Sequence, residues 1–120
     1  MCGIAGIISA KSPLPLTDAA LSAMLQALRH RGPDDRGTFR SAGGHAALAH
    51  ARLSILDLSP AGHQPMSTPD GRYTVVFNGE IYNFQELRRE MVADGVGFQS
   101  NSDTEVILRT YERQIGRAHV

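Results

Sequence analysis

Cysteine is nearly missing from this chain of 120 residues: there is one, at position 2. A single thiol excludes an internal disulfide framework and raises the question of what that thiol is for. Charge of one sign is missing too, with twelve basic against twelve acidic side chains and no Lys/Arg block. That removes the electrostatic footprint of a nucleic-acid or anionic-membrane binder, so no nucleic acid and no membrane is expected as a partner, and a small or zwitterionic ligand fits better. Long apolar runs are also lacking: the uncharged opening, Met1 to Ala10, is too short to span a bilayer and follows no basic segment, from which a cytoplasmic protein is expected. There is no internal repeat, no low-complexity tract and no Walker-type phosphate loop, since Gly43-Gly44 and Gly79 lack the required lysine. His45, His50, His63 and His119 show no spacing with Cys2 that recommends a zinc site, so no metal is expected.

What is present, 42% hydrophobic and 20% charged residues, fits one small soluble domain or a piece of a larger one. Cys2 to Ser9, rich in small residues and Ile, reads as a buried strand. Leu21, Met24, Leu25 and Leu28 recur at helical spacing, which predicts an amphipathic helix from Asp18 to about His30, stopped by Gly32-Pro33. The polar segment Asp34-Asp35-Arg36-Gly37 then reads as a loop on a surface or in a cleft. His45 to His50 and Leu53 to Leu58 suggest two antiparallel strands before a turn at Ser59-Pro60-Ala61-Gly62, and Tyr73 to Phe77 another strand after Pro69-Asp70-Gly71. Asn83 with Glu86, and Ser102 with Glu105, each look like a helix N-cap and its box partner. The first would open a helix carrying Phe84, Leu87 and Met91 up to Gly95, and the second one carrying Val106, Ile107 and Tyr111, with a short strand between the two helices. The fold class expected is a layered α+β domain.

The last six residues, Ile115-Gly116-Arg117-Ala118-His119-Val120, follow a barely completed helical pattern with no closing strand or cap. The same hexapeptide is encoded by a common sequencing-adapter oligonucleotide in one reading frame. Residues 115–120 are therefore expected to be a non-native tail on a domain, 2–114, that is cut short; a true short protein is the simpler alternative.

Cys2 has two readings. As a lone cysteine it is a small hydrophobe in a strand. Removal of Met1, however, would leave a free α-amine and a thiol on one residue. An α-amine titrates near ~8 in peptides, close enough to neutrality to act as general base, and a thiol near ~8.5 is a competent nucleophile.

Five ordered segments decide between them: Cys2-Gly3-Ile4-Ala5-Gly6-Ile7, His30-Arg31-Gly32-Pro33-Asp34, His50-Ala51-Arg52-Leu53-Ser54-Ile55, Asn78-Gly79-Glu80-Ile81-Tyr82-Asn83 and Ser102-Asp103-Thr104-Glu105. In this order and spacing the chain resembles the glutaminase domain of class II glutamine amidotransferases, within the N-terminal nucleophile (Ntn) hydrolases, in the form found in glutamine-hydrolysing asparagine synthetases. The resemblance implies a four-layer αββα sandwich with antiparallel sheets, here truncated at the C-terminus.

It also implies roles. Cys2 is the nucleophile. Arg52 grips the α-carboxylate of glutamine through two parallel N–H···O bonds, which a lysine cannot copy; the plainer account is a surface arginine in a strand. Leu53, Ser54, Ile55 and Leu56 continue the strand and line the substrate pocket, although plain core packing accounts equally well for the apolar ones. Asn78 and Gly79 supply the two donors of an oxyanion hole, an Asn-Gly turn being the plainer reading. Glu80 and Asp103 receive the α-ammonium, and Asp103 also suits a helix N-terminus. His30, Arg31 and Asp34 border the site without a readable catalytic duty; a histidine complementing the helix dipole is the simpler account of His30.

The implied reaction is glutamine hydrolysis to glutamate and ammonia through a Cys2 thioester, with the ammonia feeding ATP-dependent conversion of aspartate to asparagine. ATP and Mg belong to a C-terminal synthetase domain of the same chain, absent from these residues, and no cofactor is expected in this segment. A homodimer is compatible with this reading. Two alternatives stand beside it: an asparagine-synthetase-like amidotransferase with a peptide or glycan acceptor, and a non-catalytic glutamine-sensing domain.

Overall fold

The computed structural model describes residues 1–15 and 18–115. The described chain is α+β with antiparallel sheets, and it divides into two compact units. The first comprises Met1–Ser54 with His63–Pro65 and Val76–Asn78; the second comprises Ile55–Gly62, Met66–Val75 and the chain from Gly79 onward.

In the first unit, Gly3–Ile8 (β1), Asp35–Arg40 (β2) and Ala46–Arg52 (β3) form a three-stranded sheet with β3 in the centre. Both pairings are antiparallel, with Gly3 opposite Ala51 and Asp35 opposite Arg52. The alternation along β3 is the organising feature. Ala47, Ala49 and Ala51 point to one face and are fully buried, while Leu48, His50 and Arg52 point to the other. Small residues on the first face let helix α1, Asp18–Ala27, pack closely on β3. Gly3 belongs to that face, and a side chain there would press against Leu28.

The opening strand is half-buried rather than buried: its residues alternate in exposure, and Ile4 and Ile8 are 47% and 79% exposed. Helix α1 stops at Ala27, short of His30, because its last turn tightens: the Leu28 N–H reaches both Met24 and Leu25 carbonyls, and Arg31 N–H bonds to Leu28. Asp34-Asp35-Arg36-Gly37 is largely strand, not loop. Its charges fit an edge strand, where Arg36, Thr38 and Arg40 face solvent while Asp35, Gly37 and Phe39 turn inward. The third strand begins at Ala46 and runs on to Arg52, and Leu53 to Leu58 is not a strand. The Leu53 and Ser54 amides are taken by the side chains of Cys2 and Asp34, and Asp57 then adopts φ 45°, which no strand accommodates.

In the second unit, Met66–Ser67 (β4) pairs with Thr74–Val75 (β5) around a turn in which Gly71 takes φ 73°. The paired strand is therefore shorter than Tyr73 to Phe77, and β4, two residues long, gave no periodic signal. Helix α2, Phe84–Ala93, starts after Asn83, but the Asn83 side chain makes no capping bond because its backbone is not extended. Gly95, at φ 89°, ends it. Helix α3, Asp103–Thr110, packs on α2, and no strand separates them. Ser102 caps α3 by accepting the Thr104 N–H at 3.2 Å, whereas Glu105 does not close the box. It bonds to Gln99 and Ser100 instead. A single π-helical turn, Tyr111–Ile115, continues α3. Residues 116–120 of the expected tail lie outside the described residues. Among the described residues, no helix is long and apolar enough to cross a membrane.

Candidate active site

The end of β3 in the first unit is where the sheet gathers its chemistry. Continuing the β1–β3 register by one residue sets Cys2 opposite Arg52, and directly opposed residues share a face. The Cys2 thiol lies against the backbone just past Arg52: Leu53 N–H points at Sγ at 3.3 Å, and S–H faces the Leu53 carbonyl at 3.6 Å. An N–H aimed at sulfur is a bond that an anionic sulfur accepts more strongly than a neutral one. Arg52 is 6% exposed, so its guanidinium is not the surface cation that its position in a strand first suggests.

The segment His30-Arg31-Gly32-Pro33-Asp34 holds this end of the sheet in place. Arg31 Nε donates to the Cys2 carbonyl at 3.2 Å. Asp34 N–H donates to the Arg52 carbonyl at 3.0 Å, and its carboxylate accepts from Ser54 N–H at 2.8 Å. Gly32 passes so close that a Cβ would fall 2.2 Å from the Ala51 carbonyl group. Arg31 and Asp34 thus fix the backbone on both sides of the thiol and the guanidinium. The sequence places them at the border of the site but shows no catalytic duty, and the duty found here is to hold backbone. Their presence in one of the five segments was the available clue.

His50 is fully buried on the face shared by Arg52, with Nε2 3.2 Å from the Phe77 carbonyl. Burial lowers its pKa from the ordinary 6.5, and the Arg52 charge adds to that, while the Phe77 carbonyl opposes it. Gln64 accepts the Phe77 N–H at 2.7 Å. Asn78, half-buried, is the next residue along. On the same face, the Asp35 carboxylate meets His63 Nδ1 at 2.6 Å.

Cys2, Arg52, Leu53, Ser54 and Asn78 belong to the first unit, and Ile55, Leu56, Gly79, Glu80 and Asp103 to the second. Within the second unit, Ile55 is 60% exposed, Leu56 is half-buried, and Gly79 and Glu80 face solvent. Asp103, buried in the first turn of α3, accepts Ile81 N–H at 3.0 Å and so ties the segment after Glu80 to that helix. Glu105, two residues on, accepts the amides of Gln99 and Ser100 and the Ser100 hydroxyl. Asp57 accepts Asn101 N–H at 2.7 Å and also bonds Ser59 through its amide and hydroxyl. The Ser-Asp-Thr-Glu segment is therefore a helix start whose side chains hold loop backbones, a duty that spacing alone does not reveal.

A sequence profile of the family described as a glutamine amidotransferase domain matches residues 1–120. The chain belongs to that family. It is similar to glutamine-hydrolysing asparagine synthetase 1 of Bacillus subtilis, with 45% identity over 114 residues, 92% of this chain and 17% of the relative. Asparagine synthetase B of Escherichia coli is 43% identical over 115 residues, covering 95% of this chain and 20% of its own. The amidase chry2 of Gibberella zeae is 39% identical over 121 residues, covering 93% and 18%. The chain thus spans a fifth or less of the length of these curated relatives.

Proposed function

We propose that this chain hydrolyses glutamine to glutamate and ammonia with Cys2 as nucleophile. The observation that carries the reading is the pairing at the end of β3, where a thiol held by Leu53 stands in register with a buried arginine. A guanidinium presents two parallel N–H donors, a geometry that matches the planar α-carboxylate of a free amino acid.

The Cys2 sulfur attacks the side-chain amide carbon of glutamine while its thiol proton passes to the Cys2 α-amine, freed by removal of Met1. The Asn78 side-chain amide and the Gly79 N–H stabilise the tetrahedral oxyanion. The α-ammonium returns the proton to the departing nitrogen, ammonia leaves, and a γ-glutamyl thioester remains. Water, deprotonated by the same amine, adds to the thioester carbon and expels the thiolate, giving glutamate. Asp103 and Glu80 receive the substrate ammonium, and Leu53, Ser54, Ile55 and Leu56 line the pocket.

We further propose that the ammonia serves ATP- and Mg-dependent conversion of aspartate to asparagine in a C-terminal synthetase domain, as the names of the synthetase relatives support. The fold proposed for the domain is the four-layer αββα sandwich of the Ntn hydrolases. The likeness to an amidase supports cleavage of an amide and names no acceptor for the ammonia. In the full-length protein, Cys2→Ala is expected to abolish glutamine-dependent turnover while synthesis with added ammonia continues. Turnover of glutamine by that variant would contradict the nucleophile assignment.

A further inference from the structure

One buried polar side chain of the first unit has no part in the chemistry above. His50 is fully enclosed, and its Nδ1 has no protein partner among the described residues. Its other nitrogen, Nε2, meets the Phe77 carbonyl at 3.2 Å. A carbonyl only accepts, so Nε2 carries the hydrogen and donates it. The Phe77 N–H in turn donates to Gln64 Oε1 at 2.7 Å, and Gln64 is 6% exposed.

Phe77 therefore has both backbone groups held by buried side chains rather than by a neighbouring strand, since β5 ends at Val75. The register explains how two such side chains reach one residue. Gly37 stands opposite His50 in the sheet, and a Cβ on Gly37 would fall 2.1 Å from the Gln64 carbonyl oxygen. Only a glycine leaves room for Gln64 to lie over that position.

The consequence follows from the peptide bond itself. The Phe77 carbonyl and the Asn78 nitrogen share one rigid plane. A donor that fixes the carbonyl direction fixes that plane, and with it the place of the Asn78 Cα from which the side chain leaves the backbone. We propose that His50 is a positioning residue that sets the Phe77–Asn78 peptide plane, while Gln64 holds the preceding peptide plane through the Phe77 N–H, and that together they place the Asn78 backbone from which its amide acts as an oxyanion donor. This rests on the oxyanion reading of Asn78. A donor displaced by a fraction of an ångström still permits substrate binding but loses strength in the transition state, so the expected effect lies in kcat.

The test uses the full-length protein, with glutaminase kcat and KM measured for H50N, H50Q, N78A and the H50N/N78A double variant. The Asn amide sits near the imidazole Nδ1 position and does not reach Phe77, whereas the Gln amide places an N–H near Nε2. H50N is expected to lower kcat by about 10-fold or more with KM for glutamine within about threefold, and H50Q to recover most of that loss. In the N78A background, adding H50N should cost less than about threefold, because the donor it aims is already gone. An equal loss from H50N in both backgrounds, or an H50Q as slow as H50N, would overturn the positioning role and leave Asn78 untouched. An N78A enzyme with unchanged kcat would overturn the oxyanion reading itself. If H50N does not fold, Q64M, which removes the other hold on Phe77, takes its place in the same cycle with the same two outcomes.

Discussion

Arg52 sits at the end of a strand at 6% exposure, and a guanidinium so enclosed is kept there by partners in a defined geometry. Lysine at this position keeps the charge but loses the fork. Arg52→Lys is expected to raise the glutamine KM by about 10-fold or more with a smaller change in kcat, as steady-state kinetics would show; an unchanged KM would count against the clamp. Asp103 separates two duties in one side chain. Asparagine there still accepts the Ile81 N–H but carries no charge for an ammonium. Asp103→Asn is thus expected to keep the melting temperature within a few degrees and weaken glutamine binding, whereas loss of the fold with binding retained would make the carboxylate purely structural. At this scale the sequence was informative about Cys2 and Arg52, whose residue types are demanded by the chemistry. It placed Arg31 and Asp34 at the border of the site without their duty and was silent about Gln64; all three bond to backbone groups, and any polar residue in a loop looks alike until the backbone it meets is known.

Among the elements, the start of α3 concentrates the most polar bonding. Glu105, 4% exposed, accepts two backbone amides and a hydroxyl from residues 99 and 100. Removing it leaves the buried Ser100 amide and hydroxyl without an acceptor, so Glu105→Ala is expected to destabilise the protein by about 3 kcal/mol or more in denaturant unfolding, and a loss below about 1 kcal/mol would contradict this account. The sequence pattern located α3 and its Ser102 cap because a hydroxyl followed by a periodic apolar run is a local signal. The same pattern misassigned Glu105 to the cap, since its partners are Gln99 and Ser100 rather than the Ser102 amide. Strand β2 was read as loop because its charges belong to an edge strand, where composition follows solvent rather than pleat. Leu53 to Leu58 misled in the opposite sense. Its apolar content suggested a strand, yet its first two amides are spent on Cys2 and Asp34.

For the whole molecule, the cost of enclosing His50 is expressed in pH. Its folded pKa lies below the ordinary 6.5, chiefly through burial, with the charges of Arg52 and His63 acting in the same direction and the Phe77 carbonyl and Asp35 against it. The unfolded chain therefore binds more protons than the folded one as pH falls through 6.5, and stability declines in that range. His50→Gln removes this component, so the gap in melting temperature between the unsubstituted protein and this variant should shrink from about pH 7.5 to about pH 5.5. A gap independent of pH would show that the imidazole is not held neutral. The most direct test of the central claim is mass spectrometry of the full-length protein, acid-quenched during glutamine turnover. The account predicts that Met1 is absent and that Cys2 carries one γ-glutamyl group, lost on treatment with hydroxylamine. Active protein that retains Met1, or turns over glutamine with no adduct on Cys2, would contradict it.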